Sequence, residues 1–381
     1  MEVAQVQFRQ GVVDPVLLEP LQRLNPMLVL VFADRCHLQG ATVEAMCRTA
    51  FPDAHCVGVS TAGEISAQGV HDASCLVTAL RFDRGGVRVV TTAVTTPADS
   101  RSAGMTIGAG LRSANLRGVL LFAPGRQVDG SDLLAGMRTV MGEETVIVGG
   151  LSWSEESVGH ALIRTNAGVD GQQVVAVGLY GEAVTVHACS RGGWGPFGPL
   201  RKVTRCTGNL LLELDGEPAL TLYNRYLGEY AKDLPESGLR FPFEMRVANA
   251  TADGLIRTVL AVDPHRGGLL LGGEIDPAGE MRLMHVTPAK LVSGAEQAAE
   301  WIVTHASVTP PGLGLLISCV GRKLIMGDQI AEETEAVRHW LGHHHQVAGF
   351  YAHGEIGPLA ESRRCELHNL TMTVALIVED V

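Results

Sequence analysis

Hydrophobic positions fall three times into one order along the chain: an unbroken apolar run, a polar turn carrying arginine, a helical stretch, and a second apolar run ending in glycine. Leu28–Arg35 leads into a helical pattern over Thr42–Arg48, then the run His55–Ile65 and a further strand over Ser74–Phe82. Near the end, Leu315–Arg322 leads into Glu332–Leu341, then Gln346–Ile356 and Leu370–Val378. A looser copy lies between them, with Val119–Arg126, Asp132–Met141, Thr145–Ser152 and Gln173–Tyr180. Short continuous apolar runs separated by helices are the pattern of buried β-α-β sheets. The fold class expected is therefore α/β, with internally repeated β-α-β units forming two sheet-based domains with flanking helices. In such sheets ligands gather beyond the carboxyl ends of the strands. That singles out two loops, Ser60-Thr61-Ala62-Gly63-Glu64 and Ala352-His353-Gly354-Glu355.

The echoed units occupy 27–82, 118–180 and 314–379, and the stretch between the second and third has another character. Ser190–Pro199 is rich in Gly and Pro, which break regular elements, so a domain boundary is expected near 190–210. Beyond it, Glu217-Pro218 opens a helix that closes at Gly228, with Tyr223 and Tyr226 on one face as packing residues. The glycine-rich run 267–273 lacks dinucleotide-loop spacing and reads as a strand with close backbone packing. His343-His344-His345 reads as a solvated loop after a helix.

Composition narrows the function. With 30 Lys+Arg against 41 Asp+Glu and no dense basic run, neither nucleic acid nor an anionic membrane is an expected partner. At 381 residues two or three domains are expected. The first residues carry neither the basic nor the apolar segment of a secretory signal, and Trp301–Gly321 is broken by His305 and Pro310-Pro311-Gly312, so a cytoplasmic protein without a membrane span is expected. The 8 cysteines form no C-x-x-C pair and read as reduced, mostly buried thiols. G-x-S-x-G, P-loop and H-E-x-x-H motifs are missing, so the expectation is a binding protein and not an enzyme.

Several separated motifs then resemble one family. Gly58-Val-Ser-Thr-Ala-Gly-Glu-Ile65, the segment Val203–Asn209 through Leu214–Leu220 and Tyr223–Gly228, Ser318–Arg322, and Gly349–Pro358 are similar to the motifs of FIST sensory domain proteins, with Val59 where the family usually has Cys and His353 where it more often has Tyr. The resemblance implies an N-terminal FIST region over 1–200 and a C-terminal one over 201–381. It implies a small-ligand sensor without its own output domain, acting on a separate histidine kinase or other signalling protein of a cyclic-di-GMP pathway, with a homodimer as an alternative assembly. Stand-alone members of this length resemble haem-containing nitric-oxide sensors, which makes haem b the first expected cofactor. An amino-acid-like metabolite is the alternative ligand. For haem, His353 at a strand end is the first candidate axial ligand and His187 the second, since a neutral imidazole serves this role. Phe350 and Leu316 would shape the pocket, with Tyr351 beside them and backbone room at Gly354. For a metabolite, Arg35 or Arg322 would grip a carboxylate through a bidentate fork, while Ser60, Thr61, Gly63 and Glu64 would hold an amino group. Glu355 echoes Glu64 and is expected to anchor structure or ligand.

Overall fold

A computed structural model describes residues 1–9, 13–155, 159–248, 254–306, 311–360 and 364–380. Each echoed unit builds the centre of one sheet. Leu28–Ala33 pairs in parallel with His55–Ser60 and antiparallel with Cys75–Arg81, and Glu2–Phe8 lies outside. Leu116–Pro124 stands in the same relation to Ile147–Ser152, Gln173–Tyr180 and Gly86–Ala93. Gly312–Cys319 does so with Gln346–Ala352, Met372–Glu379 and Val184–Arg191. Mixed α/β architecture with flanking helices follows. The central strands are apolar throughout because both their faces are covered. Val29, Val31 and Ala33 pack under helices, whereas Leu28, Leu30 and Phe32 turn into a core shared by all three sheets. At the heart of that core the rings of Phe32, Phe122 and Phe350 meet with centroids 4.8–6.0 Å apart.

The structure departs from the periodicity at the second apolar run of each unit. His55–Ile65 is two strands, not one: His55–Ser60 stays at home, while Glu64–Ser66 crosses to the third sheet and pairs with Gln346–Ala352. Gln346–Ile356 divides in the same way, its second half Gly354–Pro358 joining the second sheet beside Ile147–Ser152. The middle unit sends Ile163–Thr165 to the first sheet. Each crossing strand is followed by a short antiparallel partner, so three hairpins are exchanged cyclically and no sheet is complete without a neighbouring unit. Apolar periodicity cannot show this, because a buried strand looks alike in any sheet. Gly58, Gly149 and Gly349 are the crossing points, paired with Arg164, Ile356 and Ile65. A Cβ there would lie 2.8, 1.8 and 2.0 Å from the carbonyl oxygens of Val31, Leu121 and Leu316, so glycine is required by close backbone approach.

The stretch between the second and third units forms a nine-stranded sheet of its own between Gly195 and His285, closed on the helix Ala219–Leu227. That helix ends at Gly228 (φ +57°). Tyr223 is buried against Phe243 and donates to the carbonyl of Phe241 at 2.8 Å, while the half-buried Tyr226 lies against Phe197. Gly268–Leu271 is a strand of this sheet. After Leu341 the expected solvated loop holds only His343 and His344; His345 is 4% exposed, and burial pushes its imidazole down to about 4. Among the described residues no helix is long and apolar enough to cross a membrane.

Candidate functional site

Where the strands run out, the three units bind one another through the same backbone bond. The amide of Ala62 donates to Tyr351 (3.0 Å), that of Trp153 to Ser60 (2.9 Å) and that of His353 to Leu151 (2.8 Å). Ala62, Trp153 and His353 therefore hold one position in three corners. Each corner also receives a basic side chain from the turn after a central strand. Arg35 donates from Nε to the carbonyl of His160 at 3.1 Å, and Lys323 donates to the carbonyl of Ala62 at 2.6 Å while pairing with Asp72. In the remaining corner the exposed Arg126 stands beside His353.

A cleft of about 490 Å³ opens there, at the carboxyl ends of Leu116–Pro124 and Ile147–Ser152. Arg126, Gln127, Ser152, Ser154, His160 and His353 supply its polar walls, with Trp153 and Gly125 between them. Gly125 is dictated by the crossing of chains, since a Cβ would stand 2.5 Å from the Ser152 carbonyl and 2.9 Å from His353 Cβ. Burial, reinforced by the Arg126 charge, lowers the pKa of His353 and keeps its imidazole neutral at neutral pH. Gln127 Nε2 meets His160 Nδ1 at 2.6 Å. Two buried polar atoms of the walls, Ser152 Oγ and Gln127 Oε1, have no hydrogen-bond partner among the described residues. Ser152 is 0% exposed. Buried polar atoms are nearly always paired, with protein groups, ordered water or a ligand.

Of the residues singled out from sequence, the structure brings His353 to the cleft and Arg35 to its rim, where a Cβ on Gly159 would lie 3.2 Å from Arg35 Nη2. The others lie elsewhere. Ser60 turns inward and clamps the loop that follows the second sheet, donating to the Trp153 carbonyl and accepting from the Leu162 amide, each at 2.8 Å. Glu64 is buried with the hydroxyls of Thr61 and Ser74 upon it, and desolvation pushes its carboxyl up to about 7. Gly63 turns the chain with φ +133° beside Lys323 and Asp72. Glu355 accepts from the amide and hydroxyl of Thr371 at 2.9 and 2.8 Å, and burial pushes it up to about 8. Arg322, expected to grip a carboxylate, spends all its N–H groups inside the protein. It is ion-paired with the buried Glu333 and donates to the carbonyls of Gly192, Leu291 and Leu370. Phe350 is in the shared core, and Tyr351 is buried with its hydroxyl 3.4 Å from Glu333. Gly354 pairs with Leu151 inside a sheet. His187 is half-buried on the outer strand Val184–Arg191, opposite Leu376, away from the cleft walls.

These positions bear on haem. A haem needs apolar cover on both faces of its ring, and its pocket is shaped by such side chains. Phe350 and Leu316, expected to shape a haem pocket, are committed to separate interior cores and line neither hollow beside His353. Arg126, Gln127, Ser152 and His160 escaped the sequence reading, which took its loops from the two units carrying Gly-Glu. One signal for Arg126 was available: it closes the middle apolar run as Arg35 and Arg322 close the other two.

Three interlocked α/β sheets with a polar cleft at their strand ends define the class of this protein. Residues 27–217 match the FIST N domain and residues 219–358 the FIST C domain, and the chain belongs to the FIST family, whose domains sense small ligands. An uncharacterized protein of Mycobacterium bovis is 29% identical over 249 residues, covering 62% of this chain and 61% of that one. An uncharacterized protein of Mycobacterium tuberculosis is 29% identical over 241 residues with the same coverage. The match thus spans about 61% of the length of these curated relatives. Among solved structures, a cyanuric acid hydrolase from A. caulinodans aligns over the whole of both chains with 8% identity and a TM-score of 0.38, a likeness too weak to carry any inference about activity.

Proposed function

We propose that this FIST protein senses a small carboxylate metabolite, amino-acid-like in its polar groups, in the cleft around Arg126, Ser152 and His353. The observation that carries the reading is the Ser152 hydroxyl, fully buried in the cleft wall without a hydrogen-bond partner among the described residues. Arg126 supplies the planar fork that matches a carboxylate, Ser152 adds a hydroxyl donor, and Gln127 Oε1 offers an acceptor to an ammonium or hydroxyl group. A binding role, not an enzymatic one, is the reading that the family's ligand-sensing domains support. Signal output goes to a separate cytoplasmic partner, a histidine kinase or a cyclic-di-GMP pathway protein, on the strength of the family resemblance alone.

Calorimetry of the purified chain with amino acids, hydroxy acids and simple carboxylates tests the reading, with haemin titration as a parallel arm. Binding of a carboxylate at one per chain is expected, weakened roughly tenfold to a hundredfold by Arg126→Ala, as loss of a charged hydrogen bond of about 1.5–3 kcal/mol implies. A one-to-one haemin complex with a sharp Soret band that is lost in His353→Ala, and no response to carboxylates, would overturn it.

A further inference from the structure

The wall formed by Gly125, Arg126 and His353 has a second side. There it borders a groove of about 700 Å³ that runs between the end of the second sheet and the separate nine-stranded sheet. Val128, Leu151, Leu260, Leu270, Leu271 and Leu367 give this groove an apolar stripe between polar groups that include Asn209 and Asn369. Leu260 is 41% exposed in it. Besides Arg126 and His353, the ionisable side chains that line it are all acids: Asp129, Asp132 and Glu274. Gly125, Arg126 and His353 thus stand between a hollow with mainly polar lining and one with a leucine stripe, and the buried Ser152 hydroxyl, without a partner among the described residues, belongs to the first.

We propose that the ligand is an amphiphilic monocarboxylate, its carboxylate held by Arg126 and Ser152 in the cleft and its apolar chain laid past His353 into the groove. The inference rests on the reading of the cleft as the ligand site and extends it to a substrate class. A short, fully polar ligand leaves the adjoining apolar groove unused, whereas an acyl chain removes its leucines from water. Asp132 is ion-paired with Arg101 and Asp129 accepts from the amides of Ser131 and Asp132, so Glu274 is the acid of the groove that disfavours a second carboxylate at the far end of the chain, since like charges repel across partly desolvated space. The groove walls come from the second sheet, from Leu367 and His353 of the third unit, and from Leu260 and Leu271 of the nine-stranded sheet. These bodies already meet through the buried Arg257, which donates to the carbonyl of Leu367 at 3.1 Å. A chain lying in the groove touches all of them, so occupancy registers in the packing of one region against another.

The test is calorimetry on the full chain with butanoate, hexanoate, octanoate and octanedioate, the last carrying a carboxylate at both ends. Affinity is expected to rise about fourfold per added methylene, octanoate to bind at one per chain, and octanedioate to bind at least about tenfold more weakly, the cost of about 1.4 kcal/mol that one repelled charge imposes. Leu260→Glu, a change at an exposed position, should remove the dependence on chain length and leave butanoate binding intact; Arg126→Ala should weaken every member. Butanoate binding through Arg126 with a flat series, or an octanedioate as tight as octanoate, overturns this inference and leaves the proposed site standing. Octanoate binding that ignores Leu260→Glu overturns it too. If no carboxylate binds and Arg126→Ala changes nothing, both readings fall.

Discussion

Ala62, Trp153 and His353 make the same backbone bond in three corners, and what differs among the corners is the side chain that fills them. Lys323 bonds into the Ala62 corner and Arg35 to the loop carrying His160, while the His353 corner holds the open cleft. Single side chains of this kind have predictable weight. Arg322→Met would strand the Glu333 carboxylate in the interior, where breaking one half of a buried ion pair costs about 3–5 kcal/mol; a urea melt should show that loss, and pairing the change with Glu333→Leu should recover much of it. Arg322 illustrates how a residue legible as a candidate changes meaning in three dimensions. Its place after an apolar run resembles that of Arg35 and Arg126, but only the surrounding carbonyls reveal that it has no N–H left for a ligand.

At the scale of elements, the exchanged hairpins are the feature on which the site depends. The cleft exists because a strand leaving one unit crosses into the sheet of another, bringing His353 of the third unit against Gly125 and Ser152 of the second. Gly149 marks the tightest crossing. Gly149→Ala would place a methyl group 1.8 Å from the Leu121 carbonyl, and overpacking of this kind costs about 1–3 kcal/mol; chemical denaturation should report that loss or a failure to fold. Ser60 holds the loop of the middle unit to the first sheet. Ser60→Ala leaves the Leu162 amide unpartnered, a cost of about 1–3 kcal/mol, and hydrogen exchange at Leu162 should accelerate more than at Ile163, which remains paired with Val59. The α/β class, the three repeats and the helix closing at Gly228 were all legible in apolar periodicity and turn residues. The exchange was not, because a strand of three to five residues buried on both faces carries no record of its neighbour.

Over the whole molecule, buried titratable groups set a pH dependence whose sign can be worked out. Glu64 and Glu355 are raised by burial from 4.5 to about 7 and about 8, so between these values the folded chain keeps protons that the unfolded chain has released. Their contribution to stability is complete below 4.5 and is lost as pH rises through 7 and 8. His345 and His368 act in the opposite sense, lowered by burial from 6.5 to about 4, so their contribution is present above 6.5 and lost as pH falls through 4. Burial lowers His71, His187 and His353 as well, so below 6.5 the histidines oppose the two acids, and above 6.5 only the acids still change. Stability should therefore fall from 6.5 to 8, by about 1.4 kcal/mol per pH unit for each carboxyl still protonated. Thermal melts across that range check it, and Glu355→Gln should flatten the fall. A flat profile from 6.5 to 8 would show that these carboxyls are ionised in the fold.

What the amino-acid order determined by itself was local: which segments are buried strands, where helices stop, that one unit occurs three times, and that His353 sits at a strand end. Those properties follow from side-chain polarity and backbone freedom, which act between near neighbours. Tertiary structure alone decided which corner of the three holds the cleft, that Arg126, Ser152 and His353 line it together, and that Arg322, Phe350 and Tyr351 are interior. The reason is physical: a site made by strands crossing between sheets joins residues some two hundred positions apart, and the forces that hold them together, backbone hydrogen bonds and close packing, are common to every sheet and carry no mark in the sequence.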